Sequence, residues 1–220
     1  MPAPMVHLLV AKNIIRLGLP VKDMPRFYLG AIAPDAIHMR PGVDRTVKNA
    51  THLKPKSGQD IYPNHYSGFM SELIAANKNA NEVFLLGYGI HVLTDRYWAQ
   101  TVYRKFTEDY KNSAAPVEEM AKAYYYDMDI HEYELYHGHV KDSDIWQYLQ
   151  APAYADFLDL LTAGEIRLWN ERVLNFFDAP ENRYKFEGRP KYTGLSDIER
   201  FISSCAGLIA GNINVPSFRA

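Results

Sequence analysis

Apolar positions along this chain recur mostly at intervals of three and four residues, which is the spacing of one face of an α-helix. Between residues 4 and 17 they form a broad stripe made up of Met5, Leu8, Leu9, Ala11, Ile14 and Ile15. Gly18 and Pro20 follow this stripe and predict the end of the first helix. A second, shorter helix is predicted over residues 25–33, because Pro34 cannot continue it.

Later segments with the same period predict further helices, and none alternates strongly enough to predict a sheet. They cover about residues 64–77, 82–110, 143–150, 153–161 and 163–177, a long segment that starts at 115–116, and a last helix over 196–210. Ser196 and Glu199 have the spacing of a capping box at the start of that last helix. The pattern predicts an all-α fold, a single-domain helical bundle over residues 1–220.

Two segments lack a helical period. Residues 40–63 are rich in proline, glycine and charged side chains and are predicted to be a loop. A loop of that length within a compact domain is unusual and is more often functional. Residues 177–194 are polar, contain proline and are predicted to connect two helices, with short strands as an alternative.

The helix predicted over 82–110 carries the most informative pair of residues. His91 and Asp95 are four residues apart, so they share one helical face inside an otherwise apolar run. A buried carboxylate is costly unless it is paired or bound to a cation. Imidazole with carboxylate suits zinc or a related divalent metal. A His–Asp hydrogen bond within a helical core is the alternative.

The same helix contains Gly87 and Gly89, one turn before that pair. Glycine inside a helix costs roughly 1 kcal/mol relative to alanine, so something should compensate. The two glycines predict the close approach of another helix or of a ligand.

Three other residues have similar chemistry in the first half of the chain. His7 lies near the start of the first helix, Asp35 follows Pro34 between apolar residues, and His52 lies in or beside the polar loop. Taken singly, they could be a core or capping histidine, a helix N-cap and a loop residue. Together with the pair on the central helix they give three histidines and two aspartates, which is the ligand chemistry of a zinc site.

The order of these residues resembles a known family. A histidine near the N-terminus, then Ala33-Pro34-Asp35, Thr51-His52 and Gly89-Ile-His91-Val-Leu-Thr-Asp95, is similar to the zinc-dependent phospholipase C family. The S1/P1-type nucleases share that family's fold and metal cluster. The resemblance covers about residues 1–100 well and the remainder weakly. It implies a mostly helical domain in which an activated water attacks a phosphodiester.

The resemblance also implies a role for each residue. His52 and His91 would bind one metal, and Asp95 would bridge that metal to a second one, which His7 would also bind. Asp35 would be a ligand or the catalytic acid–base group beside the attacking water.

The chain departs from the family pattern in two places. Secreted members use an N-terminal tryptophan as a metal ligand, whereas this sequence begins Met1-Pro2-Ala3-Pro4. The family's downstream His-x-x-x-Glu pair is also missing. Asp127 and His131, four residues apart, could form an additional substituted metal site or lie on a charged helix surface. We therefore expect one or two zinc ions, with manganese or iron as alternatives, and no three-zinc cluster.

Composition narrows the classes of function. The chain has 220 residues, 47% of them hydrophobic, and a net charge of −2. That charge predicts no general attraction to nucleic acid or anionic lipid. No stretch approaches the ~20 apolar residues of a membrane span, and the first residues lack the layout of a signal peptide. The single cysteine, Cys205, excludes an intrachain disulfide. These features predict a cytoplasmic protein, and none predicts an oligomeric state.

The loop predicted over residues 40–63 has an excess of basic residues. It contains Arg40, Arg45, Lys48, Lys54 and Lys56 against Asp44 alone between residues 40 and 56. The positive field of such residues beside a metal would suit a phosphate-bearing substrate. A solvated loop whose lysines serve solubility is the alternative.

The sequence therefore predicts a metal-dependent hydrolase that acts on a small phosphate ester, preferably a phosphodiester, through a metal-activated water. Asp35 is the predicted catalytic residue. The predicted metal ligands are His7, Asp35, His52, His91 and Asp95. The alternative is a non-catalytic helical protein that has a structural metal or a binding pocket for a small phosphorylated ligand.

Overall fold

The computed structural model describes residues 2–54, 66–77 and 79–213. Helix makes up 72% of the structure and no strand occurs in the described ranges, so the prediction of an all-α class is confirmed. The α-helices are α1 (Pro4–Arg16), α2 (Met24–Ile32), α3 (Arg45–Thr51), α4 (Tyr66–Ala76), α5 (Glu82–Gln100), α6 (Val102–Asn112), α7 (Met120–Leu135), α8 (Asp144–Gln150), α9 (Ala163–Asn175) and α10 (Leu195–Asn212).

Shorter helical turns join several of these helices. They are the 3₁₀ helices Ala33–Met39, Val117–Glu119 and Pro180–Phe186, and the π-helical turn Tyr136–Val140. Among the helices in the described parts of the chain, none combines the length and the apolar character needed to cross a lipid bilayer.

The first two helices begin and end close to the predicted positions. Pro4 is the first residue of α1, where its missing N–H would have had no helical partner. Gly18 follows the end of α1 with φ at 103°, a left-handed conformation that favours glycine. Asp23 caps α2 by accepting a hydrogen bond from the backbone N–H of Arg26 at 3.2 Å. Because of Pro34, α2 ends at Ile32 and the chain continues as a 3₁₀ helix.

The prediction of a loop over residues 40–63 is wrong where α3 forms. Asp44 caps this helix, since its carboxylate accepts from the N–H groups of Thr46 and Val47 at 2.8 and 2.9 Å. Its seven residues make only two turns, too few to show a hydrophobic period. Residues 55–63 of that segment lie outside the described residues. So do residues 64–65, the predicted start of the following helix.

Two other helix predictions need correction. The helix predicted over 82–110 is broken at Thr101, whose φ and ψ of −121° and −84° separate α5 from α6. The helix predicted over 153–161 is absent. Instead, the chain makes a turn that is closed by an antiparallel bridge between Phe157 and Leu161. The buried side chains of these two residues account for the apolar spacing that predicted a helix.

The predicted capping box is also in the wrong place. Helix α10 begins after Gly194 without a side-chain cap, so Ser196 does not act as one. A reciprocal capping box occurs instead at the start of α9, between Thr162 and Glu165. Motif spacing alone cannot distinguish the two sites, because the N-cap residue must also have extended backbone angles.

Helices α2 and α5 approach each other so closely that glycine is required on both. A Cβ on Gly87 would overlap the carbonyl oxygen of Phe27, and one on Gly30 would overlap that of Phe84. Gly89 faces the flexible side chain of Met70 instead. The predicted close approach of another helix is confirmed at Gly87, and it brings α2 beside the central helix face.

The buried apolar side chains of these helices form one cluster, with α1 in a central position. Helix α1 packs against α2, α5, α7 and α10. Its N-terminus is capped from α7, because the N–H groups of Met5 and Val6 donate to the carboxylate of Glu132 at 2.8 and 3.3 Å. Burial raises the pKa of Glu132 to about 8, although these two hydrogen bonds oppose the shift.

Stability is expected to depend on pH through Glu132. The unfolded chain releases the proton of Glu132 near pH 4.5, whereas the folded protein keeps it until about pH 8. Between these two pH values only the folded state is protonated at Glu132. The contribution of Glu132 to the free energy of unfolding should therefore fall as pH rises through this window, by on the order of 4–5 kcal/mol.

Urea unfolding at several pH values would measure this effect as the difference between the native protein and Glu132→Gln. The variant should lose this part of the slope, whereas titration of the other groups affects both proteins equally. Identical slopes for the two proteins would contradict the prediction.

Candidate metal centre

Five side chains from separate elements meet at one point in the interior. His91 and Asp95 project from α5, His7 from α1, Asp35 from the 3₁₀ helix, and His52 lies just after α3. His52 Nε2 lies 3.3 Å from Asp35 Oδ1 and 3.5 Å from Asp95 Oδ2. His7 Nε2 lies 3.6 Å from Asp95 Oδ1, and His91 Nε2 lies 3.9 Å from an oxygen of each carboxylate. The structure thus brings together all five predicted ligands, and we call this group the His–Asp cluster.

The cluster is buried, and most of its ligand atoms have no hydrogen-bond partner among the described residues. The aspartate side chains are 8% and 7% exposed, and the histidines 2% or less. The atoms without partners are both ring nitrogens of His7, Nε2 of His52 and of His91, Oδ1 of Asp35, and both oxygens of Asp95. Each such group costs about 1–3 kcal/mol when left unsatisfied. A bound cation would satisfy many of them at once.

Two overlapping sets of three ligands could each hold an ion. Ligand atoms of His52, His91 and Asp95 lie within 4.8 Å of one another, and so do those of His7, Asp35 and His91. The two triads share His91. Nitrogen and carboxylate ligands without a thiolate suit zinc, manganese or iron.

Two of the histidines are held with one nitrogen facing the cluster. His91 Nδ1 lies 2.8 Å from the carbonyl oxygen of Ala31, and His52 Nδ1 lies 2.9 Å from that of Lys48. A carbonyl oxygen only accepts, so Nδ1 carries the hydrogen in each ring. Nε2 of a neutral ring then presents a lone pair to the cluster, as it does in metal-binding histidines.

The environment keeps the two innermost imidazoles neutral. The rings of His7 and His91 stack with centroids 3.7 Å apart and planes 5° from parallel. Burial lowers the pKa of both, and it holds the pKa of His7 well below its ordinary 6.5, with the neighbouring His91 lowering it further. Neutral imidazole is the form that binds metal.

The two carboxylates differ in their environments. Burial opposes ionisation of Asp35, but the close approach of His52 Nε2, 3.3 Å from Asp35 Oδ1, outweighs it and holds the pKa of Asp35 below its usual range. Burial dominates at Asp95 and raises its pKa. Asp35 is therefore ionised at neutral pH, while the buried charge of Asp95 calls for a compensating cation.

Sequence reasoning missed His38, which lies at the edge of the cluster. It follows Asp35 by three residues, and in a 3₁₀ helix such residues lie side by side. His38 Nε2 lies 3.7 Å from Asp35 Oδ1 and 2.7 Å from Lys48 Nζ. The spacing Asp-x-x-His was visible in the sequence, but it has this meaning only once the 3₁₀ helix is known.

The basic residues of the predicted loop have different roles. Arg40 is paired with both oxygens of Glu165 at 2.6 and 2.9 Å and also donates to the carbonyl of Leu160. It therefore fastens the 3₁₀ helix to α9. Lys48 lies beside the cluster, whereas Arg45 and Lys54 are exposed. Lys56 lies outside the described residues.

Asp127 and His131 are in neither triad. Asp127 accepts hydrogen bonds from the backbone N–H groups of residues 191, 192 and 193 at 2.8, 2.8 and 3.0 Å. His131 Nε2 donates to the carbonyl of Thr193 at 2.7 Å. Both side chains are buried, so their interpretation as a charged helix surface is wrong. Their contacts fasten the segment that precedes α10.

Replacing Asp127 with asparagine is expected to lower stability without changing metal content. Three backbone N–H groups donate to the two oxygens of the Asp127 carboxylate, whereas an amide has only one acceptor oxygen. The free energy of unfolding should therefore fall by about 2–4 kcal/mol. Urea unfolding and elemental analysis would measure the two quantities, with exposed Asp159→Asn as the matched control. A drop in metal content in Asp127→Asn alone would instead support the additional metal site.

No protein-family model, curated protein or solved structure matches this chain. The chemistry of the His–Asp cluster is therefore what bears on function.

Proposed function

We propose that this protein is a metal-dependent hydrolase of a phosphate ester, with a phosphodiester as the favoured substrate. One observation carries the proposal: seven ligand atoms of the His–Asp cluster are buried and find no hydrogen-bond partner in the described parts of the chain. Native proteins pair more than nine in ten of their buried polar groups, so such a concentration needs a cause. A divalent cation is the simplest one.

The cluster would hold one or two zinc ions, with manganese or iron as alternatives. One ion would lie with His52, His91 and Asp95, whose ligand atoms form a compact triad. His7 and Asp95, which are 3.6 Å apart, would help to hold a second ion.

The chain's own residues would supply the remaining functions. When bound, the metal would polarise a phosphoryl oxygen and lower the pKa of a water molecule. Asp35, which its neighbour His52 keeps ionised, would orient the attacking water and accept its proton. The new bond joins the water oxygen to phosphorus, the ester P–O bond breaks, and the leaving alcohol takes up the proton that Asp35 accepted.

The order of ligands along the chain also supports the proposal, because it resembles that of the zinc-dependent phospholipase C family. Membership of that family is part of the proposal. So is a cytoplasmic location, which rests on the single cysteine, Cys205, whose thiol is buried.

The first test is elemental analysis of protein purified without added metal and without a metal-binding tag. About two equivalents of zinc, manganese or iron per chain would support the bridged site. No metal, with no uptake when metal is added, would identify the cluster as a polar core and end the proposal.

Chelation separates catalysis from a structural role. Bis(p-nitrophenyl) phosphate would report hydrolysis, and thermal unfolding would report stability, each with and without a chelator. A catalytic metal with an open position should give complete loss of turnover with a modest fall in melting temperature. A sharp fall in melting temperature, and no turnover even with metal bound, would favour the structural alternative.

A further inference from the structure

Lys48 is a half-buried cation beside the His–Asp cluster, and no described residue is an acidic partner for it. Its ammonium forms no ion pair with any carboxylate of the described residues. Its one polar contact there is with His38, at 2.7 Å between Nζ and Nε2. Lysine is rarely buried without a counter-charge, because the ammonium loses its hydration.

Lys48 is joined to the cluster through both its side chain and its backbone. Nζ donates to His38 Nε2, and that same nitrogen lies 3.7 Å from Asp35 Oδ1, so one ring atom separates Lys48 from the cluster. The backbone carbonyl of Lys48 accepts from His52 Nδ1 at 2.9 Å. Lys48 of α3 therefore contributes an ammonium group beside the cluster and also orients the cluster residue His52 through its backbone carbonyl.

His38 and Lys48 lie at the edge of the His–Asp cluster and are more exposed to solvent than the cluster residues. The side chain of His38 is 44% exposed, whereas the five cluster residues are 8% exposed or less. An anion that reached the cluster past His38 would therefore meet the ammonium. With metal in the cluster, several positive charges would converge there, and an anionic ligand would relieve their repulsion.

We infer that Lys48 binds a non-bridging phosphoryl oxygen of the ester, and that His38 is the residue that positions it. The inference rests on the proposed function and names a residue that binds the anionic part of the substrate. A point cation on phosphate is a common use of lysine, and its charge would stabilise the negative oxygens as the ester bond breaks.

Inorganic phosphate is the probe that tests this site directly. Calorimetric titration of the metal-loaded protein should show phosphate binding, and Lys48→Met should weaken it about 10- to 100-fold. The value of kcat/KM for bis(p-nitrophenyl) phosphate should fall by about 10²-fold. Metal content should stay unchanged. Lys48→Arg keeps the charge and should recover most of the phosphate affinity.

His38 is tested by a pair of variants. His38→Ala removes the acceptor for the ammonium and should weaken phosphate binding, again without loss of metal. His38→Gln retains an oxygen that can accept from Lys48 and should restore part of the affinity. Lys22→Met, at an exposed lysine before α2, is the control and should match the native protein.

The outcomes separate this inference from the proposed function. Native phosphate affinity in a metal-loaded Lys48→Met protein would overturn the inference and leave the hydrolase proposal standing. Loss of metal in Lys48→Met would also overturn it, because the lysine would then support the cluster itself. If the native protein takes up no metal but binds phosphate through Lys48, the lysine site stands and the hydrolase proposal fails.

Discussion

Asp95→Asn is expected to change stability in opposite directions with and without metal. Neither oxygen of Asp95 has a hydrogen-bond partner within residues 2–54, 66–77 and 79–213, and burial raises the pKa of the carboxyl. The neutral amide removes the buried charge, and its NH₂ group can donate to Nε2 of His7 or His52, which lie 3.6 and 3.5 Å from the two oxygens. The metal-free variant should therefore be more stable by about 1 kcal/mol.

With zinc present the order should reverse. A ligand at a hundred times its Kd stabilises the folded state by about 2.7 kcal/mol, and the native protein alone should gain this. The rate of hydrolysis should fall by more than about 10²-fold. Loss of a residue that only hydrogen-bonds to a metal ligand already lowers metal affinity or activity about 10- to 100-fold, and Asp95 would be a ligand itself.

Thermal unfolding of both proteins with a chelator and with zinc would check the reversal, and zinc content would be measured alongside. Asp109→Asn, at an aspartate that pairs with Lys105 on the surface, should show no reversal. A polar core would behave differently, because the substitution would destabilise the protein in both conditions. That result would identify the cluster as structural and contradict the metal site.

Gly87→Ala is expected to destabilise the protein severely. The added methyl group would overlap the carbonyl oxygen of Phe27 and crowd the backbone of Gly30 and Ala31, which cannot move aside as a flexible side chain could. Overpacking a core costs typically 1–3 kcal/mol, and a clash with backbone should exceed that range, so we expect a loss of at least about 3 kcal/mol.

The same substitution should also disturb the candidate metal centre. The contact between α2 and α5 places the carbonyl of Ala31 against His91 Nδ1 at 2.8 Å, and separating the helices would release that ring. Zinc affinity should therefore fall together with stability.

Gly207→Ala is the matched control for this prediction. Gly207 lies within α10, where a Cβ would meet nothing within 4 Å, so alanine should stabilise the helix by roughly 0.5–1 kcal/mol. Urea unfolding of the two variants would measure both effects. Equal stability changes in the two variants would show that helix propensity, and not the close approach of α2, governs the glycine in α5.

Much of the candidate site could be predicted from the sequence because two of its residues, His91 and Asp95, lie on the same helix. His91 and Asp95 share a face of α5 whatever the rest of the fold does, since residues four apart are neighbours on any α-helix. The apolar residues around them predicted burial, and burial is what makes the pair informative. The limits of α1 and α2 were readable for a similar reason, because Pro34 and Gly18 act within a few residues.

Helical period failed where other forces set the local structure. Helix α3 is too short to show a period and depends on its Asp44 cap. The segment over 153–161 has helical spacing, yet Phe157 and Leu161 pair with each other across a turn. Asp127 and His131 lie four apart on α7, but backbone groups more than sixty residues away satisfy them.

The sequence alone determined the all-α class, the first two helices and the pairing of His91 with Asp95, because each depends on neighbours along one helix. Only the tertiary structure brings His7, Asp35 and His52 to that pair, where the resemblance to a family had placed them by analogy. It alone reveals His38 beside Lys48, and Arg40 fastened to Glu165. These contacts join elements distant in sequence, and the packing of whole helices, such as α2 on the glycine of α5, decides which side chains meet.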